Sequence, residues 1–360
     1  MRKPKGLRAL FTMVGTVVGA GFVSGRELLQ FFACFRISTI YCAGLLFFLS
    51  FVLFVRLGRI FGGFEGVLKG VFGKFSGAVK AAILFGSFVS CSGMLSASNA
   101  LVPAAKPFLS LAFLVVACFV AERGVKGIGT VNLVVMPLLL ISVTALVFSK
   151  GALSSSEPPE AGFPAIFSVF LYVCMNNFLS MPILCDLGAE LKGNASVLCA
   201  ASGFLISAAV GLILSAVCSD KNSYVYDLPL SYILGGVKIF TVLACGGMLT
   251  TLLSSFYPLY SLAGKKWGIA GKIALFAVTE GCSFIGFKSI VANVYPALGI
   301  FGIAITIFAA GVYLKRTGFK KRVGELLPHG KEQENKTRRG GLGGKTAGAK
   351  IGERGKTGGI

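Results

Sequence analysis

Apolar runs long enough to cross a bilayer recur along most of this chain, and they limit its fold more than any other feature. A run of about 18 or more apolar residues with few charges reads as a spanning helix. In hydrocarbon a spanning segment must satisfy its own backbone hydrogen bonds, which leaves helices or a closed barrel. The strand-like alternation of a barrel is absent. Ten runs are expected to span, at roughly 8–34, 37–55, 80–104, 107–121, 128–149, 162–187, 195–218, 229–258, 267–286 and 289–314. The expected fold is therefore an all-α polytopic membrane protein of ten transmembrane helices.

Charge tests that count, because cytoplasmic loops carry excess Lys and Arg. With the N-terminus inside, the inner side holds Arg2, Lys3, Lys5, Arg8, Arg56, Arg59, Lys69, Lys74, Lys80, Arg123, Lys126, Lys192, Lys265, Lys266 and Lys272. The outer side holds Arg36, Lys106, Lys150, Lys221 and Lys288. That alternation predicts a multi-pass protein of the cell membrane with both termini cytoplasmic. Of the 35 Lys and Arg residues, 13 fall from Lys315 onward, so the net charge of +21 marks loops and a tail rather than a nucleic-acid surface. A transporter-like domain over 1–316 is expected, then a Gly/Lys/Arg-rich disordered tail over 317–360 held near anionic lipid. Residues 62–75 place Phe64, Val67, Leu68, Val71, Phe72 and Phe75 on one helical face and Glu65, Lys69 and Lys74 on the other, which predicts an amphipathic helix lying on the inner surface.

Little points to catalysis. The ten cysteines sit almost entirely in apolar runs without a CxxC pair, as small hydrophobes do. The one histidine, His329, lies in the tail, which excludes a histidine-based metal site among the spans. No nucleophile–base set is visible, so no enzyme activity is expected. No cleavable signal peptide is expected either, because the first apolar run is interrupted by glycines and followed directly by another span.

The first span reads FTMVGTVVGAGFVSGRELLQFF, with Gly15, Gly19, Gly21 and Gly25 within eleven residues. Gly15-xxx-Gly19 and Gly21-xxx-Gly25 suit close helix packing. They equally suit an unwound stretch inside a discontinuous helix, where glycine adopts unusual backbone angles cheaply. Unwinding frees carbonyls and amides for a cation or a carboxylate. A dinucleotide loop is excluded, because no βαβ unit follows. The sixth span, FPAIFSVFLYVCMNNFLSMPILCDLG, places Asn176 and Asn177 near mid-membrane with Ser180 and Pro182 after them, and proline breaks helices. Interrupted segments at matching places in two halves point to a transporter site. Spans one and six are five apart, which divides the chain into halves of about 8–149 and 162–314. Five being odd, the halves have opposite topology, as a 5+5 inverted repeat with discontinuous helices one and six requires.

The block GTVVGAGFVSGRELLQFF resembles the opening segment of the YkvI-like bacterial membrane proteins, which are similar more broadly to the amino acid–polyamine–cation transporters. The resemblance covers residues 6 to about 315, and its specific part is 15–31. It implies the ten-helix inverted-repeat fold, with helices one, three, six and eight around a central site. The substrate-binding candidates are Gly19, Ala20, Gly21, Phe22, Gly25, Ser92, Ser96, Asn176, Asn177 and Ser180. Ser92, Ser96 and Asn99 share a face of span three. On span eight, Thr250, Thr251, Ser254 and Ser255, with carbonyls near Gly19 and Phe22, would make an oxygen cage for sodium. Glu27 is the candidate proton or cation partner, because intramembrane charges are costly. No cofactor is expected beyond a coupling sodium ion or proton. The expectation is a secondary transporter of a small solute, an amino acid or amine. A membrane scaffold without transport, in which the glycines only pack helices, is the alternative.

Overall fold

The structure is a computed structural model and describes residues 5–19, 22, 24–32, 37–151, 163–191, 193–234, 238–284 and 287–326. Among them all regular structure is helical. The chain runs through α1 (Lys5–Gly15), α2 (Arg26–Phe32), α3 (Ile37–Phe61), α4 (Phe64–Phe72), α5 (Ser76–Leu101) and α6 (Phe108–Ala121). It continues through α7 (Gly124–Ser149), α8 (Phe163–Glu190), α9 (Ala195–Val217), α10 (Pro229–Ile233), α11 (Lys238–Cys282) and α12 (Tyr295–Leu326). Seven stretches are long and apolar enough to cross a membrane: Ser38–Phe61, Phe64–Leu101, Gly124–Ser149, Ala165–Glu190, Ala195–Val217, Ile239–Gly264 and Phe287–Gly318. The protein is thus a multi-pass bilayer protein. Each of the ten expected runs contains helix, but α1, with 11 residues, and α6, with 14, fall short of spanning length. α11 is 45 residues long and turns at Gly268, whose φ of +58° is left-handed, so its second arm is also short.

Three expectations change. α8 runs unbroken for 28 residues through Asn176 and Pro182, so the sixth segment is not discontinuous. Within it Asn176 Nδ2 donates to Tyr172 O (3.0 Å) and Ser180 Oγ to Asn176 O (2.6 Å). α12 continues to Leu326, so residues 317–326 are helical rather than irregular; the rest of the expected tail lies outside the described residues. The chain divides into two compact units after Gly311. Finally, α4 has the expected amphipathic face, but that face is covered by protein. Phe64, Val67, Leu68, Val71 and Phe72 are buried, and α4 packs against α3, α5 and α8. Phe72 stacks on Phe308 with ring centroids 5.4 Å apart, whereas Phe75 falls outside the helix and is exposed.

α3 packs on α8 and α9, α5 on α11, and α1 on α7 and α9. Small residues set these distances. A β-carbon on Gly58 would overlap the Cys185 carbonyl, and one on Gly188 the Val55 carbonyl. Arg8 and Lys126 line one cavity of about 350 Å³, and Lys80, Arg123 and Lys126 another of about 490 Å³. At the opposite pole Arg26 Nη1 donates to Tyr224 O (2.7 Å) and Lys288 Nζ to Val225 O (3.4 Å). In the loop after α6, Glu122 meets Lys272 Nζ at 2.5 Å, and that bond holds its carboxyl below the usual range.

Candidate functional site

The site begins where α1 stops. Thr16 N and Val18 N keep the helical pattern, to Thr12 O (3.1 Å) and Val14 O (2.8 Å), while Val17 N shifts to Val14 O (3.1 Å). Thr16 Oγ1 donates to Met13 O (2.7 Å) and occupies a carbonyl at the helix end. Residues 16–19 are non-helical, Phe22 and Ser24 are helical again, and α2 starts at Arg26 after a bend at Gly25, whose φ of +73° favours glycine. The first span is therefore discontinuous. Neighbouring helices press on the break. A β-carbon on Gly15 would lie 2.6 Å from Asn132 Nδ2 of α7, and one on Gly19 would overlap Thr251 Oγ1 of α11.

Beside the break lies a polar cavity walled by six elements. Thr16 and Val17 enter from the end of α1 and Glu27 from α2; Ser90 and Met94 come from α5. Met175, Asn176 and Leu179 come from α8, Thr251, Ser254 and Ser255 from α11, and Tyr295 from α12. Its free volume of about 10 Å³ is room for one water. Ser255 Oγ donates to Ser90 Oγ (3.0 Å) and ties α11 to α5, while Ser254 Oγ donates to Thr250 O (3.1 Å). Thr251 Oγ1 is buried without a partner.

Glu27 supplies the carboxyl group of this cavity, and it is 5% exposed. Among the described residues the ion pairs are Lys80–Glu65 and Lys272–Glu122, so no described Lys or Arg pairs with it. Its neighbour Arg26 is committed to Tyr224 O instead. Tyr172 and Tyr295 interact electrostatically with Glu27. Tyr172 packs among Phe31, Phe32 and Phe47, with ring centroids 5.5, 5.3 and 6.1 Å away.

Of the residues singled out in the sequence, Glu27, Asn176, Thr251, Ser254 and Ser255 line this cavity, and Gly19 abuts it through Thr251. Others do not line it. Ser92 and Ser96 are buried on another side of α5, whose cavity face is Ser90 and Met94. Asn177 is buried with both side-chain polar atoms unpartnered, Ser180 bonds its own helix, and Thr250 Oγ1 donates to Gly247 O (2.8 Å). Gly25 abuts Val217 and Leu230. Phe22 turns outward with Val18 to line an apolar pocket of about 260 Å³ between α7 and α9. Ala20 and Gly21 lie outside the described residues. Sequence reading missed Thr16, Ser90, Met94, Met175 and Tyr295. Tyr295 had one signal, a phenol inside an apolar run.

No protein-family model matches the chain. It is 24% identical over 319 residues to the uncharacterised membrane protein YkvI of Bacillus subtilis (strain 168), covering 82% of this chain and 92% of that protein. It is 23% identical over 331 residues to the uncharacterised protein YyaD of the same organism, covering 84% and 95%. In structure it is similar to Mhp1, a nucleobase-cation-symport-1 family transporter, in its inward-facing conformation: TM-score 0.51, 14% identity, covering 85% of this chain and 74% of that one. The chain is a distant homologue of YkvI and YyaD with a transporter fold.

Proposed function

We propose that this protein is a secondary transporter that moves a small organic solute, an amino acid or an amine, by alternating access coupled to sodium or protons. One observation carries the reading. The backbone of the first helix opens beside a closed polar cavity that holds a buried carboxylate and is walled by six separate elements. Broken helices at membrane depth are tolerated only where they line such a cavity. The solute would bind between the 19–25 stretch and Asn176. Thr251 and Ser254, with carbonyls near Gly19, are the proposed sodium ligands, and Glu27 is the proton or cation partner. A free volume of one water is too small for an amino acid, so loading requires the surrounding helices to part.

The ten-helix plan with inverted halves belongs to this proposal, as does the orientation with both termini cytoplasmic. The grouping of basic side chains at one pole supports that orientation. The test is uptake of labelled amino acids and amines into proteoliposomes under a sodium gradient, a proton gradient or neither. Accumulation that needs one gradient and is lost in Asn176→Ala supports the proposal. Gradient-independent entry, or no entry of any solute tried, counts against it and favours a non-transporting membrane protein.

A further inference from the structure

At the pole opposite the Arg123 and Lys126 cavities, α5, the start of α6 and the end of α11 meet in a polar corner separate from the central cavity. Ser110 Oγ of α6 lies 2.6 Å from Glu280 Oε1 of α11, and 2.8 Å from the Pro107 carbonyl to which it also donates. Asn99 Nδ2 of α5 donates to Ser283 Oγ at 3.5 Å, and Ser283 N donates to Glu280 O at 3.0 Å. Asn99, Ser110 and Ser283 are 3%, 0% and 1% exposed.

Two oxygens in this corner lack what burial demands. Asn99 Oδ1 and Glu280 Oε2 are both buried and have no hydrogen-bond partner. An unsatisfied buried acceptor costs about 1–3 kcal/mol, and more when it is charged. No described Lys or Arg makes an ion pair with Glu280; Lys106, which enters the same corner, sits 5.6 Å over the Phe284 ring. The helix ends make the deficit worse. Glu280 and Asn99 lie in the last turns of α11 and α5, where free carbonyls and the negative end of the dipole repel a carboxylate and attract a cation. The missing component is a positive charge that accepts oxygen ligands.

The geometry points to a binding site for a hard monovalent cation, of the sodium class, held by Glu280, Asn99 Oδ1 and the hydroxyls of Ser110 and Ser283. All donors are oxygen, which suits hard cations. A single carboxylate among neutral oxygens balances one positive charge, and no cluster of three His, Cys, Asp or Glu exists among the described residues to hold a softer metal. The site lies outside the proposed solute cavity and stands whether or not that proposal does.

The test is a sodium titration of the melting temperature of the purified full-length protein in detergent, with choline replacing sodium at constant ionic strength. The expected result is a saturable rise with sodium. In Glu280→Gln the half-maximal concentration rises about tenfold or more. Should that variant fail to fold, Ser110→Ala, which keeps the carboxylate, is expected to move the midpoint in the same direction. Thr251→Val, which removes a ligand proposed for the central cavity, leaves the part of the response that depends on Glu280 in place. No sodium response in the parent protein overturns the inference. So does a response that Glu280→Gln and Ser110→Ala leave unchanged, or one that only Thr251→Val removes.

Discussion

Gly19 and the Thr251 hydroxyl occupy one narrow space, so that a β-carbon on Gly19 would overlap Thr251 Oγ1. The contact joins the broken first helix to α11 at the edge of the polar cavity. Thr251 is β-branched, has few rotamers and cannot swing clear. Gly19→Ala is therefore expected to destabilise the protein by about 1–3 kcal/mol, the usual cost of overpacking a buried site. Thr251→Gly in the same molecule should recover part of that loss. A double-mutant cycle by thermal unfolding reads the coupling, and strict additivity of the two changes would contradict the contact.

Glycines at helix crossings should differ sharply from glycines beside open space. Gly58→Ala and Gly188→Ala drive a methyl into the backbones of α8 and α3, and each should cost about 1–3 kcal/mol. At Gly77 and Gly311 nothing lies within 4 Å of the new methyl. Alanine there should be neutral or stabilise by up to about 1 kcal/mol through helix propensity. Melting temperatures of the four variants in one detergent make the comparison.

Asp186 on α8 caps α4, because Phe64 N donates to Oδ1 at 2.8 Å while Gly63 holds φ at +107°. Tyr257 OH reaches the other carboxyl oxygen at 3.4 Å. Asp186→Ala should cost about 1 kcal/mol, the usual value of an N-cap, and should speed hydrogen exchange at Phe64–Val67. Asp186→Asn retains an acceptor and should exchange more slowly than the alanine variant. Unchanged exchange in both would show that α4 is held by its apolar face alone.

Glu27 is buried with no described basic partner, so its charge contributes little to folding and is retained at a cost. Glu27→Gln should melt at or above the parent temperature while losing gradient-driven uptake. A large fall in melting temperature would instead identify Glu27 as a structural anchor.

The break in the first helix was legible because glycine spacing is a backbone signal, and backbone conformation is what changes between Gly15 and Arg26. The break expected in α8 was misread from Pro182. A single proline removes one amide, and a helix packed against its neighbours survives that loss, as α8 does through Pro182. On α5 the polar spacing of Ser92 and Ser96 was misleading for a different reason. Every residue from Ser90 to Asn99 is buried, so periodicity holds no information about which side meets the cavity. Tyr295 follows a π-helical turn, Ile290–Val294, which shifts the helical phase just before it and hides its direction from a regular repeat. The α4 pattern fixed which side is apolar, but an apolar side is equally satisfied by lipid or by protein.

The measurement closest to the central claim is the melting temperature of the purified protein against a panel of amino acids and amines, each with sodium, with potassium and at two pH values. A solute at 100 times its dissociation constant adds about 2.7 kcal/mol to the state that binds it. The transporter account predicts a rise with one solute class that depends on sodium or pH and disappears in Asn176→Ala and Glu27→Gln. A flat response across the panel from a folded parent protein, or a rise that both variants retain in full, would contradict a solute site at the broken helix.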